Sequence, residues 1–135
     1  MRPIRYTLLI LFSVSVFLLS FEMDRTPSVP DEIYSALRSG NARDLAQYFN
    51  ANIELAILDK EEVYSKTQAE QILKDFFYKH SPTGFTKLHE GGKDASRYVI
   101  GKLSTTKGQY RIYFLMKTIN GQFAIHQFRI ENDNN

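Results

Sequence analysis

The fold turns on the stretch Val63-Tyr64-Ser65-Lys66-Thr67-Gln68-Ala69-Glu70-Gln71-Ile72-Leu73-Lys74-Asp75-Phe76-Phe77. It opens as the end of a strand and continues as a helix, with Ala69, Ile72, Leu73, Phe76 and Phe77 on one apolar face. Ser65 with Gln68 and Thr67 with Glu70 both fit capping-box spacing, and the Ser65 start lets Tyr64 enter directly from the strand. Lys79 and His80 suit the negative end of the helix dipole, and Pro82 forbids continuation. Short helical patterns and a hairpin precede this stretch, and only strands and turns follow it. The stretch is therefore the hinge of a small α+β domain.

Upstream, Pro30-Asp31-Glu32 opens a helix with Ile33, Ala36 and Leu37 on its buried face, stopped at Gly40. Asn41 then caps a second helix, with Asp44 three residues on and Ala42, Leu45, Ala46 and Phe49 facing inward. Helices this short need a sheet to cover. Ile53, Leu55 and Ile57 alternate as a strand does, and a turn at Asp59-Lys60 leads back through Glu61-Glu62-Val63-Tyr64. Downstream, strands are expected over Phe85–Glu90, Ser96–Thr105, Gln109–Ile119 and Gln122–Glu131. Asn120-Gly121 is a strong two-residue hairpin signal.

At the N-terminus, Arg2 and Arg5 precede an apolar run from Tyr6 to Leu19 within a chain of 135 residues. That run is shorter than the roughly 20 residues of a comfortable membrane span, and it has the pattern of a secretory signal. The expected organisation is a signal peptide over 1–20, a linker over 21–29, one domain over 30–131 and a frayed tail over 132–135. The protein is then periplasmic or secreted, touching a membrane only if the signal stays uncleaved. The formal charge of +2 is supplied entirely by Arg2 and Arg5, and the other basic residues are scattered among acids, so nucleic acid is not indicated. The chain has no Cys, which excludes a disulfide framework, a lipid-modified cysteine and a thiol nucleophile.

Turn lengths set which side chains share a face. A two-residue turn at Asn120-Gly121 places Met116 opposite Ile125 and Phe114 opposite Gln127. A three-residue turn over 106–108 places Ile100 opposite Phe114 and Tyr98 opposite Met116. The inner face then carries Tyr98, Ile100, Ile112, Phe114, Met116, Phe123 and Ile125. Its polar end is Lys102, Tyr110, Gln127 and Arg129, which together with Phe114 form a candidate mouth for a small anionic or apolar ligand. The outer face collects Val99, Leu103, Tyr113, Leu115, Phe128 and Ile130, a candidate dimer interface. A bulge near Gly101 or His126 is the alternative, because it would exchange residues between the faces.

Signals for chemistry are sparse. His80, His89 and His126 have no metal-ligand spacing, so no metal or other cofactor is expected. Glu61 and Glu62 are adjacent on a strand and point to opposite faces, so they cannot act as a pair. Gly91-Gly92 lacks the strand-to-helix context of a phosphate loop, and no Ser lies in a nucleophile elbow.

Two helices, a hairpin, a long helix and a meander resemble the nuclear-transport-factor-2-like (cystatin-like) fold, a cone of helices wrapped by a curved antiparallel sheet. Val63 through Glu70, Phe76-Phe77, Gly121 and the closing Arg129-Ile130-Glu131 resemble a bacterial family of that superfamily, DUF4783, a domain of unknown function. The resemblance implies no catalytic residues. Enzymes of the superfamily use an Asp, Tyr or His inside the cone, whereas the expected inner face offers only Tyr98 and Tyr110. Many relatives dimerise through the outer sheet face. The expected function is an exported non-catalytic ligand-binding or assembly domain, with a small-molecule enzyme of the isomerase or hydrolase kind as the alternative.

Overall fold

The computed structural model describes residues 27–134, so the expected signal peptide and most of the linker lie outside the described residues. Its elements are α1 (Asp31–Ser39), α2 (Ala42–Ala46), β1 (Phe49–Ile57), β2 (Lys60–Ser65), α3 (Lys66–Lys79), β3 (Pro82–Gly91), β4 (Ser96–Thr105), β5 (Gly108–Ile119) and β6 (Gln122–Asn132). The six strands form one curved, unclosed sheet in the order β2-β1-β6-β5-β4-β3. Neighbours are antiparallel except β1 and β6, which run parallel and join the N-terminal hairpin to the meander. The parallel seam is where the structure departs from the expected wholly antiparallel sheet.

Local chemistry explains the boundaries. The Asn41 side chain accepts from the Asp44 backbone N–H at 3.0 Å and starts α2. For α3 the choice falls on Ser65: its Oγ accepts from the Gln68 N–H at 3.2 Å, and Gln68 Oε1 accepts from the Ser65 N–H at 3.1 Å. Ala69, Leu73, Phe76 and Phe77 are buried beneath that helix, with Ile72 packed at the margin. Asn120 (φ 53°) and Gly121 (φ 75°) make the expected two-residue turn, pairing Ile119 with Gln122.

Two one-residue differences from the expected register decide which side chains face the helices. The turn between β4 and β5 has two residues, not three, because Thr105 pairs with Gly108. The Thr105 hydroxyl closes it, accepting from the Lys107 N–H at 3.1 Å and donating to the Gly108 carbonyl at 2.8 Å. This sets Val99 opposite Phe114 and Ile100 opposite Tyr113, reversing the whole of β4. In β6, Leu115 pairs with Gln127 while Met116 pairs with Ile125, so His126 is the extra residue of a bulge. The bulge sets Phe114 opposite Phe128 and reverses everything beyond it.

The core under α1, α2 and α3 is therefore built from Val99, Leu103, Ile112, Phe114, Met116, Ile125, Phe128 and Ile130, all fully buried. Phe114 stacks on Phe128 at 6.2 Å between centroids, and Phe49 meets Phe128 at 6.1 Å. Gly101 also faces inward, where a Cβ would come within 2.2 Å of the Phe85 ring, so only glycine lets Phe85 lie across β4. The C-terminus is better anchored than expected: β6 extends to Asn132, and the Asp133 carboxylate pairs with Lys102 at 3.1 Å.

Candidate functional site

The cone interior is filled. Phe49, Phe114 and Phe128 occupy its centre, each no more than 2% exposed, and among the described residues no charged or polar side chain is buried. Among the described residues, Tyr34 and Tyr110 are the only buried tyrosines. Burial pushes the Tyr34 phenol above its ordinary pKa, with the Glu90 charge adding to the rise, and its hydroxyl has no hydrogen-bond partner. Both tyrosines serve packing. Tyr34 stacks on Phe85 at 6.0 Å, and Tyr110 lies edge-on to Phe76 at 5.4 Å and to His80 at 5.3 Å. His80 stacks on Phe76 at 4.3 Å with Nδ1 3.1 Å from the Phe76 carbonyl oxygen, so an aromatic plug closes the end expected to be an open mouth.

The five residues expected to line that mouth are not together. Tyr110 and Phe114 point into the core, whereas Lys102, Gln127 and Arg129 lie on the outer face, displaced by the turn and the bulge. Lys102 is engaged by Asp133. Gln127 Nε2 donates to Glu54 Oε2 at 3.0 Å. Arg129 donates to Glu61 Oε1 at 2.5 Å and has Glu54 at 3.6 Å and Glu131 at 3.7 Å. Glu54 and Glu61 share one guanidinium, and the hydrogen bond with Glu54 holds the Glu61 carboxyl above its ordinary pKa, against the pull of Arg129.

Of the six residues expected at an interface, Val99, Leu103, Phe128 and Ile130 are wholly buried in the core, and only Tyr113 and Leu115 face outward. Tyr98 and Ile100, expected inside, take the vacated places. Tyr98 stacks on Tyr113 at 6.4 Å, and Tyr98, Ile100, Tyr113 and Leu115 form a partly exposed apolar band across β4 and β5. Alternation from the observed register aligns the outward residues in rows across the sheet. One row reads Glu61, Ala56, Arg129, Tyr113, Ile100, His89, and the next Val63, Glu54, Gln127, Leu115, Tyr98, Gly91. Glu54, Glu61 and Val63 belong to this face and were not expected there. The missing signal is the parallel pairing of β1 with β6, which no local pattern announces.

Clefts open elsewhere. One of about 580 Å³ lies beside Gly40, Gln71, Lys74 and Tyr78 on the helix side. A notch of about 290 Å³ on the outer face is lined by Leu88, His89, Ile100, Lys102, Arg111 and Asp133. Among the described residues no three His, Asp or Glu side chains gather as a metal ion would require.

Helices against one face of a curved six-stranded sheet, with the cone filled and the far face open, define an α+β domain of the nuclear-transport-factor-2-like, cystatin-like class. A de novo designed protein with a curved β-sheet shares that fold at TM-score 0.63 and 11% identity, covering 76% of this chain and 94% of that one. So does a Nostoc punctiforme protein of unknown function with a cystatin-like fold, at TM-score 0.57 and 11% identity, covering 77% and 85%. The particular family is shown by residues 30–131, which match the model of the domain of unknown function DUF4783, and the chain belongs to that family. A DUF4783 protein of Bacteroides ovatus is similar at 31% identity and TM-score 0.75, covering 79% of this chain and 97% of its own. One of Bacteroides uniformis is similar at 30% identity and TM-score 0.75, covering 80% and 100%. No curated protein matches the sequence.

Proposed function

We propose that this protein is an exported, non-catalytic assembly domain that pairs with a second copy of itself through the outer face of its sheet. The observation that carries the reading is the apolar band Tyr98, Ile100, Tyr113 and Leu115, partly exposed on a face that no element of the described chain covers. The packed cone supports it, because among the described residues no charged side chain is buried there and its two tyrosines, Tyr34 and Tyr110, are engaged in aromatic packing. The sheet edges support it as well. At one edge β3 carries a bulge at Leu88 and an inward Lys87 whose Nζ lies 5.5 Å from the Tyr34 ring centre. At the other, β2 is six residues long and holds Lys60, Glu61 and Glu62. Edges blunted in this way discourage strand addition and leave the face as the surface for association.

Light scattering across a concentration series tests the pairing. Twice the protomer mass is expected at high concentration, with dissociation on dilution, and a protomer mass throughout would refute it. Export is read from Arg2, Arg5 and the Tyr6–Leu19 run. Mass spectrometry of the protein recovered outside the cytoplasm should show loss of a segment ending near Ser20, and retention in the cytoplasm would refute it.

A further inference from the structure

The outer face is divided by charge along the line between β6 and β5, which is also the midline of the six strands. On the β2-β1-β6 half, three carboxylates (Glu54, Glu61 and Glu131) surround the single guanidinium of Arg129. On the β5-β4-β3 half, Lys102, Arg111 and Lys117 face outward against the single carboxylate of Asp133. The apolar band adjoins this midline on the basic side. Each half is the electrostatic complement of the other.

Resting on the pairing proposed above, we infer that the two copies associate about a two-fold axis running along the strands over the β6–β5 line. A two-fold between facing sheets lies in the plane between them. Run along the strands, it carries each residue onto the same row of the opposite half, so β1 covers the partner's β4 and β6 covers the partner's β5. Run across the strands, it lays each strand over its own copy, setting the acidic half against the acidic half of the partner subunit and the basic half against the basic half. Like charges pressed together at an interface are strongly disfavoured, so the charge division selects the first arrangement. Strands of the two sheets then lie aligned, the commoner geometry of face-packed sheets.

The row alignment states the contacts. Arg129 comes over Tyr113 of the partner subunit, within reach of a cation–π contact, and Glu131 comes over Arg111 of the partner subunit. Gln127 comes over Leu115 of the partner subunit, and Glu54 over Tyr98 of the partner subunit.

Charge reversal at two positions on either side of the β6–β5 line tests the arrangement, with dissociation constants measured by analytical ultracentrifugation and the fold monitored by circular dichroism. Glu131→Lys alone and Arg111→Glu alone should each weaken self-association on the order of tenfold. An equimolar mixture of the two variants should recover nearly wild-type affinity as a heterodimer, because each reversed charge then meets its opposite. Glu131→Lys binding wild-type protein more tightly than wild type binds itself would place like half on like half and overturn the inference. A wild-type dimer indifferent to both reversals, or a mixture that fails to recover, would overturn it too while leaving the pairing intact. A monomeric wild type would remove the pairing and the inference together.

Discussion

Substituting Phe128 by alanine tests the inner face most directly, because the sequence alone sets that side chain outside. Phe128 is fully buried, stacked on Phe114 at 6.2 Å and against Phe49 at 6.1 Å. Truncating a buried phenylalanine removes its transfer free energy and leaves a cavity that the neighbours only partly refill, at a cost of about 3–5 kcal/mol. Loss of the aromatic pairs falls within that range, since the rings of Phe49 and Phe114 stay buried. Against a total stability of about 5–15 kcal/mol the change is large. For a domain of this size it lowers Tm by at least about 12 °C. The control is Tyr113→Ala, across β5 on the opposite face, which should cost no more than about 1 kcal/mol. Urea unfolding of both variants followed by circular dichroism, at a concentration low enough that protomers are separate, gives the two numbers. Equal costs, or a larger cost for Tyr113→Ala, would contradict the bulge at His126 and with it the assignment of faces.

Two further outcomes follow from local chemistry. Ser65→Ala should destabilise by about 1 kcal/mol, since it removes the hydroxyl that caps α3, while Thr67→Ala should change stability little; the reverse order in thermal unfolding would move the helix start. His126 sits at the bulge with Nε2 buried and unpartnered, and burial, aided by the charge of Lys117, lowers its pKa in the folded state. The unfolded chain therefore takes up this proton first as pH falls. Stability should drop from about pH 7 toward pH 5, and His126→Gln should flatten the drop; a variant with the wild-type slope would contradict the desolvated environment.

The elements were legible in the sequence because each is specified within a few residues. Asn41 and Ser65 are caps, Asn120-Gly121 is a turn, and the apolar face of Val63–Phe77 has helical period, so these readings coincide with the structure. The candidate site was not legible, and the cause is narrow. Side chains on a strand alternate, so one miscounted residue reverses every position beyond it. The turn at Thr106-Lys107 and the bulge at His126 each shift the count by one. Core residues survive such an error as core candidates, because the strands carry apolar side chains at both parities: Val99 and Ile100, Phe114 and Leu115. What the error reverses is the partition, sending Lys102, Gln127 and Arg129 outward and Val99, Leu103, Phe128 and Ile130 inward. The fold is therefore insensitive to the count, whereas the functional reading depends on it entirely.

That sensitivity bears on what the outer face is for. With the count corrected, no charged or polar side chain is buried beneath the helices among the described residues, and the outer face collects the ion pairs of Arg129 and Lys102 around Tyr98, Ile100, Tyr113 and Leu115. A sheet with one solvated face needs only polar residues there. Half-buried aromatics flanked by opposite charges on opposite sides exceed that need, and each such residue lowers solubility without adding to the core. The proposed second copy, turned so that Glu131 meets Arg111 of the partner subunit, would cover the aromatic band and use the charge division at once.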